Sequence, residues 1–155
     1  MNFERITFEE TKSIIQNILN HSSSSDFDLT PNGIFKLAQE SNCFLQRKSI
    51  PNWSDFEVGI RDFSVQQFIA LTPINLETTD SVFIISDTCF KEQMSYKVQG
   101  KKLIEFAEST YPNLHQTDFV QPLDFIFIQP NENLISIIHH EGVILEYYNR
   151  PTYER

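Results

Sequence analysis

This chain has little material for unusual backbone or covalent bracing: its 155 residues include four glycines, two cysteines and one tryptophan. The glycines stand apart, at positions 33, 59, 100 and 142, so no glycine-rich loop exists to cradle a phosphate. No serine sits in a Gly-x-Ser-x-Gly elbow either. Cys43 and Cys89 lie in apolar settings ("NCFLQ", "DTCFK"), which reads as two buried, reduced thiols rather than a disulfide. The opening "MNFERITFEETK" mixes charges of both signs with no apolar run behind a basic start, so a secretory leader is not expected. No segment reaches the length of a membrane span. The expected compartment is the cytoplasm, and the sequons at Asn20 and Asn52 are then chance matches. Basic charge is also scarce. Twelve Lys and Arg face 21 Asp and Glu, a net charge of −9. Such a surface repels phosphate backbones and anionic membranes, and it steers in a basic protein.

Aromatic side chains are plentiful, with 14 Phe and 5 Tyr to supply large units of buried area. Along the chain, "ITFEETKSIIQNILNH" predicts a first helix with a Thr7/Glu10 capping box and a stripe of Ile14, Ile15, Ile18 and Leu19. After the polar "HSSSSD", "LTPNGIFKLAQES" predicts a second, with Thr30 as cap, Pro31 in the first turn and Ile34, Phe35, Leu37 and Ala38 inward. "CFLQRK" reads as a short strand. The stretch 50–73 has no clean period, with a short helix expected near "DFSVQQFIAL". "SVFIIS" and "MSYKVQ" read as strands joined by "DTCFKEQ". "GKKLIEFAESTYP" reads as a third helix with Leu103, Ile104, Phe106 and Ala107 inward, ended by Pro112.

The last third predicts a three-stranded meander: "DFIFIQ", "LISIIHH" and "VILEYYN", with turns at "PNEN" and "EG". Helices first, then strands interrupted by one helix, give one α+β domain over residues 1–155, about three helices on a mostly antiparallel sheet. In the meander Phe125 and Phe127 oppose Ile126 and Ile128, so both sheet faces are apolar and need cover. The chain itself, or another chain, must supply it.

Candidate chemistry is sparse. In "LISIIHHEGVILEYYN" two histidines adjoin a glutamate, but neighbours on a strand point to opposite faces, so His139 and His140 are not expected to share an ion. The second His of a zinc-protease motif is missing. Glu141-Gly142 reads instead as a tight turn with Gly142 at positive φ. "DFDLT" (26–30) matches an Asp-x-Asp-x-Thr phosphotransfer string, yet "HSSSS" precedes it where a buried strand is required, and Thr30 reads as a cap. Cys89 would need a nearby base such as His115 or His139 to act as a nucleophile. No catalytic residue, metal ligand or cofactor is assigned. The exposed acidic positions Asp80, Asp87, Glu92, Glu132, Glu141 and Glu146, beside Tyr147 and Tyr148, have the composition of a patch for a basic partner. The same charges at strand ends and on an outer strand would also prevent edge aggregation.

A small acidic α+β chain without a catalytic motif, ending in "PLDFIFIQP…LISIIHHEGVILEY", resembles the immunity proteins of bacterial polymorphic and contact-dependent toxin systems. The resemblance implies a non-enzymatic protein that binds a cognate toxin domain, often a basic nuclease, and blocks it. It assigns no residues. Two other classes stay open: an oligomeric structural or adaptor subunit, such as a homodimer, and a small enzyme built on His139, His140, Glu141 or Cys89.

Overall fold

The computed structural model describes residues 2–20, 27–41 and 43–148. One sheet runs through it, with strand order β1-β4-β3-β5-β6-β7-β2 and every neighbouring pair antiparallel. The strands are β1 (Glu4–Thr7), β2 (Phe44–Ser49), β3 (Ser81–Ile85), β4 (Met94–Gln99), β5 (Phe125–Gln129), β6 (Leu134–His139) and β7 (Val143–Tyr148). The meander is β5-β6-β7, as its turn residues require. Gly142 takes φ +85° in the second turn, and Asn133 supplies the left-handed residue in the first. The α+β class and the mostly antiparallel sheet hold.

Two chain-early strands complete the sheet, and both change the reading of its edges. β1 precedes α1 (Phe8–Ile18) and pairs with β4, so the helix begins after Thr7 rather than at Ile6. Thr7 caps it as expected, its Oγ1 accepting from the Glu10 N–H at 3.2 Å. β2 pairs along its whole length with β7, which makes β7 an inner strand and β2 the edge.

Helices cover both faces, so the apolar faces of the meander are buried within the chain. On one face α1 lies against β4, where Thr11 Oγ1 and Ser95 Oγ share a buried 2.7 Å hydrogen bond. α2 (Pro31–Gln39) follows, capped by Thr30 Oγ1 at 3.0 Å from the Gly33 N–H. Ile34, Leu37 and Ala38 turn inward, but Phe35 is exposed beside Leu45 and Leu145. Four apolar positions in five residues overfill the arc a helix of this length can bury.

The other face carries α3 (Trp53–Glu57), α4 (Val65–Ile69) and a long helical stretch. α5 (Cys89–Glu92) only bridges β3 to β4. The long stretch joins a 3-10 turn at Gly100–Lys102, α6 (Leu103–Glu105), a π turn at Phe106–Thr110 and α7 (Tyr111–His115). Pro112 does not end the helix, contrary to expectation. Just before it the Tyr111 N–H bonds the Phe106 carbonyl five residues back, and this wider turn admits the proline ring. An aromatic layer fills the space beneath. Phe119 is 2% exposed and packs against Phe68, Phe106, Tyr111, Phe125 and Phe127 with ring centroids 5.1 to 6.5 Å apart.

Among the described residues no helix is long and apolar enough to cross a membrane.

Candidate functional site

The expected acidic patch does not assemble. Asp80 and Glu132 lie at one end of the sheet, where Asn131 donates to Asp80 at 3.1 Å. Asp87, Glu92 and Glu141 lie at the opposite strand ends, with Glu92 paired to Arg5 at 2.5 Å. Glu146 and Tyr147, expected on an outer strand, are each only 1% exposed, and Tyr148 is half-buried. As neighbours on β7 they point to opposite faces of the sheet, and both faces are covered, while β2 covers the edge. Glu146 is balanced there by Lys48 at 3.5 Å and by the Tyr148 hydroxyl, which donates to it at 3.0 Å.

A different surface has the composition sought. Val58 and Ile60 are 70% and 76% exposed on the loop between α3 and α4. That loop is an ordered turn. The Asp55 carbonyl accepts from the N–H groups of Ile60 and Arg61, and Gly59 sits between the two apolar residues at φ +81°. Two residues on, Asp62 enters a cavity of about 410 Å³ that also takes Glu108, Asp118, Phe63 and Phe119. Residues 53–65 and 107–120 together hold five carboxylates (Asp55, Glu57, Asp62, Glu108 and Asp118) against the single guanidinium of Arg61. Apolar residues beside a glycine in the charged run "DFEVGIRDF" were the available signal. Without a periodicity, the run does not say which of them face water.

The histidine pair is a turn, but not one that separates the two rings. His139 is the last residue of β6 and His140 the first beyond it, so strict alternation no longer applies. Their rings stack at 4.3 Å with 25° between planes. Asp124, just before β5, accepts through Oδ1 from both the His140 N–H (2.7 Å) and His140 Nδ1 (2.9 Å). Trp53 Nε1 donates to the His140 carbonyl at 2.9 Å, and the Gly142 N–H donates to the His139 carbonyl at 2.9 Å. The Asp124 bond holds the His140 imidazole's pKa above its usual value. His115 is elsewhere, bonded to the Tyr96 hydroxyl, and burial lowers its pKa.

The cysteines are free thiols, Cys89 buried and Cys43 half-buried. Burial pushes the Cys89 thiol up, the direction opposite to nucleophile activation, and its contacts are Ser86 and the Ile84 carbonyl. In the "DFDLT" string Thr30 caps α2, Asp28 is exposed, and Asp26 lies outside the described residues.

Comparison with family models, with curated proteins and with solved structures finds no match for this chain.

Proposed function

We propose that this chain is a protein-binding domain that docks a basic partner, in the manner of an immunity protein neutralising a toxin. The observation that carries the reading is the Val58–Ile60 turn. Two apolar side chains are held out to water by a hydrogen-bonded loop in a segment, residues 53–65, that carries three carboxylates and one cation. Exposed apolar groups of this kind, rimmed by charge of one sign, suit a partner of opposite sign. The fixed turn leaves little ordering entropy to lose on binding. The net charge of −9 adds long-range attraction toward the same class of partner. The toxin itself is inferred from the resemblance of residues 122–147 to immunity-protein endings.

The test is capture of a partner from the native lysate by tagged protein, released with a salt gradient and identified by mass spectrometry. Wild type is expected to hold a basic toxin-like domain that leaves only at high ionic strength. The double variant V58D/I60D, altered at solvent-exposed positions, is expected to hold none. Equal capture by both forms, or a partner that is not basic, contradicts the reading.

β2 favours one second reading. This edge strand is exposed over all six residues, with Phe44 at 40% and Leu45 at 50%, and an edge of that kind suits pairing with another copy. An oligomeric subunit would then show a mass above 18.1 kDa by light scattering, and a monomer at high concentration removes it.

A further inference from the structure

We propose that Asp124, His139 and His140 form a binding site for a late first-row divalent metal ion such as Zn2+. Each of the three offers a ligand atom, and these atoms all lie within 4.8 Å of one another. A tetrahedral zinc site with bonds of 2.0–2.1 Å needs its ligands about 3.4 Å apart. Small side-chain rotations close the difference, since His140 and Asp124 are exposed enough to move.

The backbone of the turn is already fixed by bonds that use no imidazole. Trp53 Nε1 holds the His140 carbonyl, Asp124 holds the His140 N–H, and the Gly142 N–H closes the loop on the His139 carbonyl. The ligands therefore start from a preorganised scaffold. His140 Nδ1 and Asp124 Oδ1 already lie 2.9 Å apart, and an ion takes the place of the proton between them, with the ring nitrogen and the carboxylate as two of its ligands. The His140 N–H, which also donates to Asp124 Oδ1, holds that carboxylate beside the ring. His139 exchanges the 3.1 Å bond that its Nδ1 accepts from the Glu141 N–H for the ion, and water satisfies that exposed amide.

Two imidazoles with one carboxylate select zinc, nickel, cobalt or copper over magnesium and calcium, which prefer all-oxygen sites. The remaining coordination positions face solvent and take water. None of this depends on the partner-binding reading, whose surface uses other residues.

Calorimetric titration of the whole, metal-free protein with Zn2+ tests the site. Expected is one saturable ion per chain, with Asp124→Asn, which removes the one anionic ligand, weakening binding by at least about 10-fold. The double variant H139Q/H140Q is expected to abolish it, while His115→Gln binds as wild type. The double variant keeps the Trp53, Asp124 and Gly142 bonds of the turn and loses only the one from the Glu141 N–H to His139 Nδ1, so its circular dichroism should match wild type. Trp53 is the chain's one tryptophan and touches the turn, so its emission should change on adding Cu2+ in wild type and not in the double variant. No saturable binding, or the same affinity in H139Q/H140Q, overturns the proposal.

Discussion

At Gly142 the backbone takes φ +85°, and a Cβ there would lie 2.6 Å from Cγ of Trp53. Gly142→Ala should therefore cost more than the ~1–2 kcal/mol of left-handed strain alone. Urea denaturation checks this, and an unchanged midpoint would contradict it. The residue is also where sequence reading succeeds and fails side by side. "EG" between two apolar runs announces a turn, because a short hairpin connection, here His140 to Gly142, needs a residue at positive φ. The same run does not announce Trp53 or Asp124, which reach the turn from positions far away in sequence. The stacking of His139 and His140 was hidden for a local reason: alternation stops where the strand stops, and that boundary falls between them.

The short elements depend on caps and on one aromatic cluster. α4 has a complete capping box: Ser64 Oγ accepts from the Gln67 N–H at 3.1 Å, and Gln67 Oε1 accepts from the Ser64 N–H at 2.9 Å. Ser64→Ala should lose about 1 kcal/mol, read as a lower thermal midpoint. Phe119, in a loop rather than in any helix or strand, should matter more. Phe119→Ala removes the ring that joins α4, the π turn and β5, at an expected cost of about 3–5 kcal/mol by denaturant titration. A loss under about 1 kcal/mol would mean that the aromatic layer collapses around the gap. Elements with a strong period or a cap were legible: α1, α2 and the meander. β1 is four residues long with no inward stripe, and α3 lies in a segment without a period, so nothing local marked them. "CFLQRK" reads as a strand, but its place at the edge depends on a pairing about a hundred residues apart. That pairing, with cover on both faces of the sheet, buries Glu146 and Tyr147.

Over the whole molecule, buried phenols tie stability to alkaline pH. Burial pushes Tyr96 and Tyr147 up to about 12, above the ordinary value of 10.0. A raised pKa means that the fold favours the neutral phenol. This contribution is complete below pH 10 and is lost as pH rises toward 12. Phenolate absorbance from these two residues should appear together with loss of far-UV circular dichroism. Full ionisation with the fold intact would contradict it. The charge of −9 was legible at once, but its focus was not, because the carboxylates that share a surface come from segments separated by the β3–β4 hairpin. The measurement that tests the central claim most directly is hydrogen exchange on the chain alone and bound to its captured partner. The account predicts new protection over residues 55–63 and 107–120. Protection confined to β2, with the Val58–Ile60 turn still exchanging freely, would contradict it.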